Sequence, residues 1–306
     1  MHITTFSSVF EGHQCESVID SPFKDKSLNI EIVGSCNGLI LMRCSKDYLG
    51  SRRWLWNPCT KELKGIVNPT IKHGLLDYHG IGYNRDTDDY STIVVATRYI
   101  ERYSNRYRVY EIELCTLGSK LRNTVFGIVS YEIISMDGKA EAIFVFGAFH
   151  WIGRRLPSNR LCIVSFDIRR ENFIEVVVTP LVSDILNNVD NNHKALGDLA
   201  GCLCFIRTYG GFNIDVWVMK DYNVSESWTK LFIARLPVVE KSINSVKLLW
   251  EFKNGEVLFV TTTESDHKNR LVLYDPVSKK SKVTIIQHTA RNKWNIEAYA
   301  ERSRDA

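Results

Sequence analysis

The sequence predicts an all-β, kelch-like β-propeller made of four-stranded blades of about 54 residues, five detected and a sixth left open. Three observations predict it. Glycine-led, strand-like runs start at Gly38, Gly147, Gly201 and Gly255, in steps of 109, 54 and 54 residues. A second column of aromatics, Trp56, Tyr110, Phe166, Trp217 and Tyr274, keeps the same period. Helical periodicity is nearly absent, with Leu181 to Val189 the one modest helix candidate.

In chain order, residues 1–27 are expected to be an N-terminal arm. The first blade reads as four strands, Leu28 to Val33, Leu39 to Arg43, Trp54 to Trp56 and Glu62 to Val67. The 109-residue step is about twice 54, so a further unit should begin near position 92, and Thr92-Ile-Val-Val-Ala does, its glycine replaced. In all five runs the second and fourth residues after the anchor are apolar: Ile40 and Met42, Val94 and Ala96, Phe149 and Trp151, Leu203 and Phe205, Val257 and Phe259. Side chains two apart share a face of a strand, so each run offers one apolar face to a neighbour. Strands end in turn-forming residues at Trp56-Asn57-Pro58, Phe166-Asp167 and Tyr274-Asp275-Pro276. No Pro, Gly or Ser linker interrupts the series, so residues 28–300 are read as one domain, with a polar tail at 301–306. The aromatic column is read as core between blades, together with Gly38, Gly147, Trp151, Gly201 and Gly255 as repeat positions.

Composition narrows the function. The chain has 306 residues, 44% hydrophobic and 24% charged, which suits a large core. Its net charge is +4, with basic residues in doublets such as Arg52-Arg53, Arg154-Arg155 and Arg169-Arg170 rather than in a block. A phosphate-tracking surface needs a concentrated stripe, so no nucleic acid is expected. The start shows no secretory signal and no stretch is long enough to span a bilayer, so no membrane partner is expected and a cytoplasmic location is, with the nucleus as alternative. The eight cysteines are then read as reduced thiols.

Gly34-Ser-Cys-Asn-Gly-Leu-Ile-Leu-Met followed by Trp56-Asn57-Pro58-Cys59-Thr60 resembles the opening of the plant F-box-associated domain, of the S-locus-F-box-like group. The likeness continues through Gly82-Tyr83-Asn84, Asp88-Asp89-Tyr90, Gly147-Ala-Phe-His150-Trp151, Val164-Ser165-Phe166-Asp167 and Asp215-Val-Trp217-Val-Met219-Lys220. Glu226-Ser227-Trp228 and Leu273-Tyr274-Asp275-Pro276 complete it, over about residues 30 to 280. The resemblance implies the target-holding module of a Skp–cullin–F-box ubiquitin ligase receptor. Two departures stand out. No F-box precedes the domain in this sequence, so a truncated receptor without adaptor binding is expected. Cys115 to Arg122 lacks the Trp that the family often has there.

Sites that could carry chemistry have plainer explanations. Gly34-Ser35-Cys36-Asn37-Gly38 fits a cysteine nucleophile elbow, but the chain continues from Leu39 as a strand, and an Asn-Gly turn accounts for the pattern. Cys202 and Cys204 share a strand face without a second ligand pair, so no metal is expected. Asp86, Asp88 and Asp89 alternate like a calcium loop but lack its glycine and terminal glutamate. His150 reads as a structural histidine. No cofactor motif occurs. The chain is therefore read as no enzyme, the alternatives being a glycan-acting propeller hydrolase, for which Glu141, Asp198 and Glu251 are the carboxylates to watch, or a non-ligase decoy or pseudogene product.

Partner binding, to an unidentified protein target, is expected in the irregular loops at the two ends of the ring, with the binding face left open. The candidates are Tyr99, Arg102, Tyr103 and Arg106 in the segment 99–106, Arg154, Arg155 and Arg160 in 153–160, and Tyr209 and Phe212 in 208–213. Tyr, Arg and Phe are the types that carry protein contacts.

Overall fold

A computed structural model describes residues 3–4, 16–17, 22–23, 25, 27–45, 51–66, 77–84, 87–102, 105–118, 122–128, 130–134, 142–188, 193–235, 243–263 and 269–285. Two short strands, β1 (Ile3–Thr4) and β2 (Glu16–Ser17), pair within the stretch predicted to be an arm. Five antiparallel blades follow in a ring. Blade 1 is β3 (Asn29–Cys36), β4 (Leu39–Ser45), β5 (Ser51–Trp56) and β6 (Leu63–Ile66), and blade 2 is β7 (Asp77–Asn84), β8 (Asp89–Arg102), β9 (Asn105–Thr116) and β10 (Arg122–Ile128). Blade 3 splits its inner strand into β11 (Tyr131–Ile133) and β12 (Ile143–Val145), both on β13 (Ala148–Arg155), before β14 (Arg160–Asp167) and β15 (Asn172–Val176). Blade 4 is β16 (Lys194–Leu199), β17 (Cys202–Tyr209), β18 (Asn213–Met219) and β19 (Trp228–Arg235), and blade 5 is β20 (Ile243–Glu251), β21 (Val257–Thr263), β22 (Asn269–Asp275) and β23 (Lys280–Ile285). Every blade uses consecutive strands, so among the described residues no sixth blade is assembled from the two termini.

The glycine anchors explain the turns. Asn37-Gly38, Phe146-Gly147 and Ala200-Gly201 all have φ between 47° and 80°, the paired left-handed geometry of a tight hairpin, which glycine enters without steric cost. In blade 2 the left-handed residue is Asp88 (φ 52°), four positions before the expected anchor Thr92. An even offset keeps every side chain on its face, which is why the apolar register survives the longer hairpin.

The core lies between blades. Phe149 and Trp151 pack with Tyr78, Ile93 and Val95 of blade 2, Leu203 and Phe205 with Ile152 and Ile163 of blade 3, and Phe259 with Cys204 and Val216 of blade 4. Phe166, Trp217 and Tyr274 lie on these same backward-looking faces, and Trp56 closes a cluster with Ile40 and Met42. Tyr110 departs from the predicted column. It is buried, but it stands opposite Thr97 and packs forward against blade 3, taking a hydrogen bond from the Ile133 amide at 2.8 Å. On the backward-looking side of its strand blade 2 carries buried Glu113, 4.0 Å from buried Arg53 of blade 1.

One helix interrupts the β pattern between blades 3 and 4, α1 (Pro180–Asn187), where Leu181 to Val189 was predicted. Thr179 accepts the Val182 amide at 3.2 Å and Pro180 opens the first turn, a standard start. Val182, Ile185 and Leu186 lie against β14 and join one buried cluster with Ile163, Leu203, Phe205 and Trp217, so the helix is fixed by packing rather than by its length.

Candidate functional site

Successive antiparallel strands place the turns joining strands one to two and three to four at one end of the ring, the glycine end. The turns joining strands two to three fall at the other, with the connections between blades. This is the crossover end. Its layout is tied together by backbone bonds: Leu156 donates to the Ser130 carbonyl at 2.7 Å, and Ile243, opening blade 5, donates to Gly211 in the turn of blade 4 at 2.7 Å.

All three predicted loops belong to this end, yet most of their residues are strand. Tyr99 and Arg102 lie in β8 and Arg106 in β9, where the ladder runs up to the pair Arg102 and Asn105. Tyr103 lies outside the described residues. Arg154 and Arg155 are in β13, Arg160 opens β14, Tyr209 ends β17, and only Phe212 sits in a turn. The reason is that ladder hydrogen bonds need only backbone, so Arg- and Tyr-rich segments without an apolar alternation can still extend a hairpin.

Blade 3 presents Arg155 with Nη2 2.9 Å from Glu175 and its guanidinium 6.0 Å from the Tyr131 ring. The hydrogen bond with Tyr131, followed by the Glu175 charge, raises the Arg155 pKa. Arg154 stands 4.0 Å from Glu132, and Arg160 donates to the Ser183 hydroxyl on α1. Asn187 locks the helix end to the same hairpin, accepting the Leu161 amide at 2.7 Å and donating to its carbonyl at 3.0 Å.

Blade 4 centres on Asp215, which is fully buried and accepts from Arg207 at 3.1 Å and from Lys230 at 3.0 Å. The three residues come from three neighbouring strands whose register sets Arg207 opposite Asp215. Each cation also lies on an aromatic: Arg207 over Tyr209 at 5.0 Å, Lys230 over Trp217 at 5.1 Å, and Arg235 over Phe212 at 5.7 Å. Desolvation, then the Asp215 charge, raises the Tyr209 pKa. Sequence reasoning named Tyr209 and Phe212 but not the Arg207, Asp215, Lys230 and Arg235 that the fold sets beside them. Recognising them required the register, although Arg207 and Asp215 flanking a Gly-Gly turn was a usable signal.

The other candidates resolve into structure. Cys36 precedes a hairpin turn between two strands, not a strand-to-helix elbow. Burial pushes the thiols up, Cys44 to about 11 and Cys162 to about 12, and Cys202 and Cys204 likewise, away from the thiolate that nucleophilic or metal chemistry needs. Asp88 sits at the blade 2 turn and Asp89 accepts the Gly118 amide at 2.9 Å, while Asp86 is outside the described residues. Asp198 accepts the Gly201 amide at 2.8 Å to close its turn, Glu251 ends β20 half-buried, and Glu141 is outside the described residues. No group of three or more His, Cys, Asp or Glu among the described residues is placed to hold a metal, and no described helix is long and apolar enough to cross a membrane.

Comparison with known proteins places this architecture. A family profile described as "F-box associated beta propeller domain" matches residues 4–303. The chain is 30% identical over 293 residues to "F-box protein At3g07870" of Arabidopsis thaliana, covering 85% of this chain and 67% of that protein. It is 27% identical over 270 residues to "F-box protein CPR1" of the same plant, covering 82% and 62%, and 26% identical over 237 residues to "F-box/kelch-repeat protein At3g23880", covering 75% and 60%. The chain thus spans about 60–67% of the length of these relatives.

Proposed function

We propose that this chain, which belongs to the F-box associated β-propeller family, is a non-catalytic receptor module that holds a target protein at its crossover end, as the target-recognition half of an SCF-type ubiquitin ligase. The observation that carries the reading is the concentration of Arg, Tyr and Phe on extended hairpins at that end of blades 3 and 4. Such side chains combine large contact area with hydrogen-bonding edges, and they dominate protein interfaces. Curated relatives named as F-box proteins support the ligase context. In this reading the propeller selects the target, and any contact with a Skp–cullin adaptor is made by residues other than these blades. The cytoplasm or nucleus is where such a module works.

The test is affinity capture from plant extract with three forms: wild type, Arg154→Glu/Arg155→Glu/Arg160→Glu at the crossover end, and Arg169→Glu/Arg170→Glu at the glycine end. A protein retained by wild type and the glycine-end variant but lost with the crossover-end variant is the expected result. Equal recovery by all three forms refutes the assignment of the binding end. Turnover of a glycan substrate by the purified chain refutes the non-catalytic reading.

A further inference from the structure

We propose that the crossover end of blades 3 and 4 receives an acidic polypeptide segment, with Asp or Glu side chains spaced along an extended chain. This rests on the receptor reading above and names the chemistry of its target. The first observation is placement. Four cation–aromatic contacts fall in these two adjacent blades, at Arg155, Arg207, Lys230 and Arg235. A guanidinium or ammonium resting on a ring has already lost much of its rotamer freedom, so it presents N–H donors at reduced entropic cost.

The second observation is charge. With Arg154 and Arg160 the described residues of the region hold six cations against three carboxylates, Glu132, Glu175 and Asp215. Counting Asp184 on the helix and buried Lys194 as well leaves the surplus at three. The surplus is local, since the whole chain carries only +4.

The third is which cations are committed. Asp215 is buried and consumes Arg207 and Lys230, fixing the blade 4 cluster in place. Arg160 bonds only a serine hydroxyl, and Arg235 rests on Phe212; neither pairs with a carboxylate among the described residues. Both are exposed, one on each of two adjacent blades. Two open cations on separate rigid hairpins suit two separated carboxylates on one strand of polypeptide. A continuous phosphodiester fits less well, because Glu132 and Glu175, with side chains 27% and 33% exposed, break the positive field between the arginines.

The test uses the full chain and fluorescence anisotropy with a labelled peptide of alternating Glu and Gly, a Lys-for-Glu counterpart, and a labelled single-stranded oligonucleotide. Wild type should bind the Glu peptide, lose affinity as NaCl rises from about 50 to about 200 mM, and ignore the Lys peptide. Arg160→Glu/Arg235→Glu should weaken the Glu peptide about tenfold or more, and Arg169→Glu/Arg170→Glu should not. If the double reversal unfolds by circular dichroism, Arg160→Gln/Arg235→Gln removes the same charges and must weaken binding in the same direction. Equal binding of Glu and Lys peptides, no effect of either double variant, or tighter binding of the oligonucleotide overturns the proposal. A target captured through the crossover end without Glu-peptide binding overturns the acidic preference alone; failure of both overturns the receptor reading with it.

Discussion

Lowering the pH from about 7.5 to about 4 should remove close to 3 kcal/mol of stability through one residue, His150. Its ring is fully buried in β13, with Nδ1 3.2 Å from the Ile143 carbonyl and Nε2 2.9 Å from the Tyr222 hydroxyl. A carbonyl only accepts, so the proton belongs on Nδ1, and Nε2 accepts from Tyr222. Burial pushes the pKa down from 6.5 to about 4, with backbone hydrogen bonds to Ile143 and Ala148 opposing it in part. The unfolded chain therefore binds a proton that the folded chain refuses across that window. Stability is fully present above about pH 6.5, falls with pH between 6.5 and 4, and levels off below. At 1.36 kcal/mol per pH unit the window is worth about 3 kcal/mol. The assay is urea denaturation of wild type and His150→Asn at a series of pH values. Asn keeps an N–H near the Ile143 carbonyl and does not titrate, so the difference between the two proteins cancels the carboxylates and the other histidines. The stability gap should narrow by about 3 kcal/mol on acidification, and parallel curves would refute the buried neutral ring.

Trp217→Ala should cost about 3–5 kcal/mol by emptying the contact between blade 4, α1 and blade 3, read as a lower urea midpoint. Gly82→Ala should destabilise by about 1–3 kcal/mol, because a Cβ there falls 2.1 Å from the Phe144 ring, which is packed on Phe149 and would have to shift. Gly147→Ala meets nothing within 4 Å, so its loss should be smaller and due to φ +74° alone. Ala200→Gly should raise the midpoint, by up to about 1 kcal/mol, since Ala200 is exposed at φ 53° where glycine is unstrained.

The period was legible because a strand alternates faces every residue, and between-blade packing demands the same face at the same place in each unit. That condition survives the four-residue offset of Asp88 and Thr92, so the apolar column reads correctly although the turn does not lie at the anchor. It does not survive at Tyr110. An aromatic at the right distance along the chain can stand on the wrong face, and only the register, which sets Tyr110 opposite Thr97, reveals it. On the backward face of that strand the sequence places Glu113, a charge that no pattern marks as core, buried against Arg53 from a strand about sixty residues earlier.

The same physics separates what could be read of the crossover end from what could not. Arg154, Arg155, Tyr209 and Phe212 announce themselves by type. Their meaning depends on partners fixed by register: Glu175 across two strands from Arg155, Lys230 and Arg207 converging on Asp215. A loop bearing these side chains would have to order both backbone and rotamers on meeting a target, at about 1–2 kcal/mol per backbone residue. Carried instead on paired strands, with β13 and β14 bonded as far as Arg155 and Arg160 and β17 and β18 as far as Tyr209 and Asn213, the backbone is ordered before any partner arrives. Affinity at this end should accordingly depend less on temperature-induced loop ordering and more on ionic strength, which is the signature expected of pre-placed charges.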